Sequence, residues 1–462
     1  MRDSHLARLA ILPALLVVAA ASAVAQIAEP ARSTRLIALE AAVAAGDEQA
    51  VDGFWAEIER AHTPLIELSE SDPQSMQVTF LWRAQEGQSE ANVHVSGYFL
   101  VPLEGRLRIE KLQRLADTDV WYRTYRMPRS ALSSYSLGAP QGLVPDQRAH
   151  RRATHDGVVF EFFTDPRNPR RYELDEGERV YPVSYFRGPA APEDRCSDVR
   201  DDVARGRVET FEIESRVLGN RRKISIYTPP GYARLRSAPD LLLLFDRESY
   251  LSAVPTPTIL DNMQKDGILR PIAVVFVSPL DQAMRNNRDA ELPPNARFQR
   301  FLREELMPWV RDRYRVTRDP RRSVVAGSSY GGIASSYTAF TNPDLFGNAL
   351  SQSGSYWWWP QATEHMTLEE QRRRWGEVGW ALTLVAEAPR KPVRIYQDVG
   401  LWEIPDSMVM TNRAFHAVLR AKGYETIYRE YVGGHDYIAW RFTLQEGLIA
   451  LLGRDPPSHL LP

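Results

Sequence analysis

The sequence predicts an α/β protein: a doubly wound α/β-hydrolase sheet in the C-terminal part, preceded by an antiparallel, immunoglobulin-like β-sandwich. Three observations carry this reading. After about residue 206, short apolar runs ("KISIYTPP", "DLLLLFD", "IAVVFVS", "SVVAG", "NALSQSG", "VRIYQDVG") alternate with helical stretches such as residues 295–314, the pattern of a buried parallel sheet wrapped by helices. Earlier, Val78, Phe80 and Trp82 alternate with polar residues, as do Val93 and Val95, and "DVWYRTYRM" is rich in aromatic and branched residues. Those are half-buried strands separated by polar turns. Third, the apolar run 323–326 leads into Gly327-Ser328-Ser329-Tyr330-Gly331 and then small helix-forming residues, a strand–turn–helix carrying G-x-S-x-G.

Taken in chain order, residues 1–25 have the form of an export signal. Arg2 and Arg8 precede an apolar run from Leu9, and Ala23-Val24-Ala25 offers a cleavage site before Gln26. The run is short for a membrane span and no later stretch is long and apolar enough, so the expected location is the periplasm, without a stable membrane anchor. Residues 26–75 are expected to be helical, with Leu36, Leu39, Val43, Val51, Phe54, Trp55 and Ile58 at roughly helical spacing. Residues 76–137 form the sandwich. Residues 138–205, rich in Pro, Arg and Asp, are expected to be a connector with few core residues that completes the N-terminal domain. Residues 206–462 form the catalytic domain. Cys196, the only cysteine in the sequence, sits in polar "EDRCSDVR" and reads as a linker thiol, so no internal disulfide supports the fold.

With 44% apolar and 25% charged residues the 462-residue chain has the composition of a globular protein, and its net charge of −2 gives no general reason to bind nucleic acid. Any recognition by charge must be local. The sequence sets no oligomeric state.

Ser329 sits where a nucleophile would be lifted above the sheet. In α/β-hydrolases an acid and then a histidine follow in sequence. The candidate histidine is His435 in "YVGGHDYIAW", after a short strand and two glycines that allow close approach of a loop. The acid should follow the strand in "VRIYQDVGLWE": Glu403 is favoured on the loop after Gly400, Asp398 is the alternative inside the strand, and Asp406 after Pro405 reads as a helix cap. The oxyanion hole needs two N–H groups, assigned to Tyr330 and, at the end of "LLLLFDRESY", to Arg247.

"VVAGSSYGG", "GNALSQSGSYWWW", "RDAELPPNARF" and "GGHDYIAWR" resemble the enterochelin (enterobactin) esterases, and "TFLWR" with "DTDVWYRTYRM" is similar to that family's N-terminal sandwich. The resemblance spans most of the chain after residue 25. It implies hydrolysis of the ester bonds of a catecholate trilactone siderophore, with Ser329 as nucleophile, His435 as base and Glu403 at the position of the loop acid; some periplasmic relatives work with a serine–histidine pair. It implies no cofactor of the protein's own: iron arrives chelated by the substrate. One departure stands out. The family has Asp-Gly where this chain has Asp246-Arg247. Because a ferric catecholate is anionic and aromatic, Arg288, Arg285, Arg441, the side chain of Arg247, and Trp357 in "SYWWWP" are the expected substrate contacts. The alternatives are a feruloyl or carbohydrate esterase on the same sheet, and a siderophore-binding protein that has kept the scaffold without the chemistry. Comparing turnover of a trilactone with feruloyl esters, and labelling Ser329 with a phosphonate, separates these.

Overall fold

A computed structural model describes residues 28–454 except 70, 86–91, 102–107, 145–146, 178, 195 and 361–378. The expected export signal lies outside the described residues.

The N-terminal part is built of two antiparallel sheets. One carries strands Glu29–Pro30, Val120–Pro128, Ser75–Arg83 and Leu65–Leu68 in that order. The other runs Arg171–Asp175, Val180–Arg187, Leu132–Pro140, Val158–Phe163 and Arg151–His155, with His94–Gly97 also paired to Leu132–Pro140. The alternation read from the sequence is the inward face. Met76, Val78 and Phe80 from the first sheet meet Val95, Tyr135, Leu137, Phe163 and Phe186 from the second, and the Phe80 ring stacks on Phe99 at 4.9 Å.

Three expectations change here. The segment 26–75 is not all helix. Helices Thr34–Ala44 and Ala50–Ala61 lay Leu36, Leu39, Phe54, Trp55 and Ile58 on Leu81 and Val120, and the segment closes with the edge strand Leu65–Leu68. Residues 138–205 are not a core-poor connector either. They hold four strands of the second sheet, and Phe160, Phe162, Phe163, Tyr172, Leu174, Val183 and Phe186 are buried. Cys196 is likewise buried, packed with core residues on one face of the C-terminal sheet rather than exposed in a linker.

The C-terminal part is one eight-stranded sheet: β1 Arg207–Ser215, β2 Asn220–Thr228, β3 Asp240–Leu244, β4 Ile272–Asp281, β5 Ser323–Ser328, β6 Asn348–Gln352, β7 Arg394–Gly400 and β8 Glu425–Tyr431. The order is β1-β2-β4-β3-β5-β6-β7-β8, antiparallel up to β4 and parallel from there on. Helices cover both faces, which explains the unbroken apolar runs. In β3, Leu241 and Leu243 face one core while Leu242 and Leu244 face the other, and all four are fully buried. The carboxyl ends of β3, β5, β7 and β8 open on the same edge, where loops can bring distant residues together. Among the described residues no helix is long and apolar enough to cross a membrane.

Candidate active site

Ser329 follows β5 and precedes the helix Tyr330–Thr341, with φ 60° and ψ −118°. That backbone is strained for a residue with a side chain, and such strain gathers at functional turns. The glycines of the motif make the turn sterically feasible. A Cβ on Gly327 would come within 2.8 Å of the Gly331 backbone, and one on Gly331 would stand 3.4 Å from the Asp246 carboxylate. The turn at Asp246-Arg247 is therefore pressed against the elbow. Asp246 is itself left-handed at φ 54°, and Arg247 opens a short helix. The backbone N–H groups of Tyr330 and Arg247 are both at first helical positions, and among the described residues no protein acceptor takes either one.

Glu403 is 1% exposed at its side chain and sits on the loop after β7. One carboxylate oxygen accepts from His435 Nδ1 at 2.7 Å; the other accepts from Ser353 Oγ at 2.6 Å and from Gly400 N–H at 2.9 Å. With Nδ1–H donating to Glu403, Nε2 is the ring nitrogen left for a proton. Ser353 in turn accepts from Trp440 Nε1 at 3.1 Å, and the Trp440 ring meets the His435 ring edge-on at 4.9 Å. Asp398 lies inside β7, fully buried, with no bond to the imidazole, and that burial pushes its carboxyl well above the usual carboxylate range. Asp406 is exposed in the first turn of a helical segment that Ile404 caps, so it is neither the cap nor the acid. Ser329 Oγ and His435 line the same cleft, of about 700 Å³, and the Oγ itself lies 3.4 Å from Ser355 Oγ.

The glycines before His435 serve close packing. A Cβ on Gly434 would fall 2.0 Å from Cβ of Tyr98, and one on Gly433 2.7 Å from the Leu132 carbonyl. Both contacts come from the N-terminal sandwich. Leu132 N–H donates to the Val432 carbonyl at 3.0 Å, and Asp436 accepts from Ser134 N–H at 2.5 Å and Tyr172 OH at 3.2 Å.

The expected arginine rim is arranged differently. Arg288 lines the cleft, but its guanidinium forks onto both Asp246 oxygens at 2.8 and 2.9 Å and donates to the Ser328 carbonyl, bracing the elbow from below. Arg285 is 70% exposed, pairs with Asp281 and does not line the cleft. The Arg441 guanidinium donates to the Ala253 carbonyl and lies over the Tyr172 ring. The Arg247 side chain turns to Ser225 Oγ and Glu248. Trp357 packs on Tyr330 with ring centres 5.9 Å apart, and its Nε1 points at Met408 Sδ. Sequence reasoning missed Ser353, whose left-handed backbone (φ 47°) follows the end of β6. It also missed Tyr98, Asp175, Glu176 and Arg179, which the sandwich brings to the cleft wall. "LSQSGS" was visible as a motif, but nothing in one sequence says which loop a serine will face.

Two family profiles match this chain. One, described as "Putative esterase", covers residues 215–451, and the other, "Enterochelin esterase, N-terminal", covers 77–196. The chain belongs to the enterochelin esterase family. The iron(III) enterobactin esterase of Dickeya dadantii is 27% identical over 88% of this chain and 94% of its own length, and the iron(III) salmochelin esterase of an Escherichia coli strain is 27% identical over 89% and 96%. A crystal structure of the Shigella flexneri enterobactin esterase, determined in the presence of enterobactin, superposes with a TM-score of 0.65 at 25% identity, covering 84% of this chain and 96% of that one. An endo-xylanase/feruloyl esterase of Xylanibacter ruminicola matches only 34% of this chain. The two-part architecture, sandwich and hydrolase sheet, is thus that of the enterochelin esterases as a whole.

Proposed function

We propose that this enterochelin esterase family member is a serine esterase that cleaves the ester bonds of a catecholate trilactone siderophore of the enterobactin type. The observation that carries the reading is the His435–Glu403 hydrogen bond of 2.7 Å, set over the same cleft as the strained Ser329. In the reaction Ser329 Oγ attacks the ester carbonyl as His435 Nε2 takes its proton. Glu403 holds the imidazole tautomer and stabilises the imidazolium. The Tyr330 and Arg247 N–H groups donate to the oxyanion. His435 then protonates the leaving alkoxide, an acyl-enzyme remains on Ser329, and water activated by His435 releases the acid. The relatives named for iron(III) enterobactin and salmochelin support the substrate class. Iron enters as part of the substrate, and no resident cofactor has a step to perform. Ala23-Val24-Ala25 supports export to the periplasm, which a mature N-terminus at Gln26 would establish.

Mass spectrometry of products from purified protein with iron-free and ferric trilactone is the direct test. Linear trimer, dimer or monomer should form, and Ser329→Ala should abolish them while keeping the fold. Intact trilactone after prolonged incubation, or undiminished turnover by Ser329→Ala, would refute the reading.

A further inference from the structure

The cleft at Ser329 offers no spare cation to an anionic substrate. Its described lining includes Asp175, Glu176, Asp246 and Glu248 with Arg179 and Arg288; Arg179 pairs with Glu176, Arg288 with Asp246, and Arg247 with Glu248. A neutral lactone can sit there. A ferric tris-catecholate, with several negative charges, finds no unpaired counter-charge among these residues.

The opposite balance lies next door. A separate hollow of about 350 Å³ in the N-terminal sandwich is lined by Arg148, Arg171, Arg179, His150 and Tyr181, with no carboxylate among its described lining residues. Arg148 and Arg171 have no carboxylate partner among the described residues: Arg171 donates only to the carbonyls of Asn168, Asp165 and Pro166. The His150 and Tyr181 rings stack at 5.1 Å with planes only 6° apart, and the Arg179 guanidinium lies 5.5 Å over Tyr181. Burial first, and then the charges of Arg151 and Arg179, push the His150 imidazole down to about 4. Arg179 keeps Glu176 as its counter-charge, but Arg148 and Arg171 stand beside it without one, a set that an anion would complete. Arg179 lines both spaces, so the hollow and the catalytic cleft share a wall.

We propose that this hollow, bounded by Arg148, Arg171, Arg179 and the His150–Tyr181 stack, is an anion subsite that receives a catecholate arm of the iron-loaded siderophore while the neutral lactone lies at Ser329. Guanidinium groups suit it in two ways, since they donate in pairs to adjacent catecholate oxygens and stack on flat rings. The chemistry at Ser329 and the recognition of charge are then divided between the two domains. The identity of the anion rests on the function proposed above; the basic hollow does not.

The probe is the ferric tris-catecholate complex, which contains no ester, titrated against the full-length protein by quenching of protein fluorescence. Wild-type protein should bind it, less tightly as salt rises. The exposed Arg148→Glu change should weaken binding at least about tenfold, Arg148→Lys should restore most of it, and Arg148→Glu/Arg179→Glu should weaken it further. In turnover, Arg148→Glu should raise KM for the ferric trilactone about tenfold more than for 4-nitrophenyl butyrate, with kcat for the trilactone moving far less than KM. Equal binding of the complex by wild type and both glutamate variants would overturn the subsite. Binding that depends on Arg148 without any hydrolysis of the trilactone would keep the subsite and refute the esterase reading instead.

Discussion

At the scale of single residues, the carboxylate opposite His435 decides the mechanism. Glu403 touches Nδ1 at 2.7 Å and takes two further donors on its other oxygen, so it is held in one orientation. Burial inside the strand raises the Asp398 carboxyl well above its ordinary range, and it does not touch the imidazole. Glu403→Gln keeps the size but removes the charge and can present the wrong donor to the imidazole. We expect kcat to fall by up to ~10⁴, the scale seen when a triad acid becomes an amide. Asp398→Asn, a near-isosteric change at a side chain with no bond to His435, should leave kcat nearly intact. Steady-state kinetics on the two variants checks this, and the reverse pattern would assign the acid to Asp398. That Ser329 and His435 would meet at one cleft was legible in the sequence from local signals, a G-x-S-x-G turn and a glycine-preceded histidine late in the chain. The duty of Arg288 was not. Its partner, Asp246, is 42 positions away, and only the approach of the β3 and β5 ends turns an expected substrate contact into a brace for the elbow.

His150 gives a second test at this scale. Its imidazole is held down to about 4 in the folded protein, against an ordinary value near 6.5. Below pH 6.5 the unfolded chain takes up a proton that the folded protein refuses until about pH 4. The contribution of His150 to stability is therefore whole above pH 6.5 and lost as pH falls toward 4, at no more than about 1.4 kcal/mol per pH unit. Denaturant titrations at pH 7, 6, 5 and 4 should show a shallower acid loss in His150→Gln than in wild type. Parallel curves would remove His150 from the acid response.

At the scale of elements, the loop before His435 shows how two glycines position the imidazole that faces Glu403. The loop passes between the end of β7 and the sandwich with no room for a side chain: Gly400, Gly433 and Gly434 each meet backbone or ring atoms closer than a Cβ allows. Gly434→Ala must therefore displace either Tyr98 or the loop, and His435 is the next residue. Overpacking of this kind costs about 1–3 kcal/mol. The larger effect should be on kcat, because His435 would leave its line with Glu403, while KM for a small ester changes little. Pairing Gly434→Ala with Tyr98→Ala should return part of the lost kcat by making space, and no recovery would mean that Tyr98 is not the obstacle. The sequence announced the need for close approach but not the surface approached. The same limit explains the misread segment 138–205. Val158–Phe163 and Val180–Arg187 are themselves rich in apolar residues, but Pro-, Arg- and Asp-rich stretches separate them and several positions are exposed, so nothing local marks them as core until Leu132–Pro140 supplies a central strand to pair with.

At the scale of the whole molecule, the sandwich and the hydrolase sheet do not have separate cores. Trp402 belongs to the catalytic domain and is the residue before Glu403, yet its fully buried ring lies in the sandwich core, 6.5 Å from Phe99, alongside Val432 from the histidine loop. Its N–H donates to the Gly433 carbonyl at 2.9 Å, tying the acid loop to the histidine loop. One side chain thus joins the stability of the N-terminal domain to the geometry of the charge pair. Trp402→Ala would leave a cavity worth about 3–5 kcal/mol in a well-packed core. Because the lost contacts are those between domains, calorimetry should show one transition in the wild type separating into two in the variant, with the sandwich melting first. The same variant should lose kcat even on a small neutral ester, because the acid loop is no longer held against its neighbour. A Trp402→Phe variant, which refills much of the space, should recover both properties together. If Trp402→Ala separates the transitions but hydrolyses the small ester at the wild-type rate, then the sandwich acts only in recognition and the charge pair keeps its geometry without it.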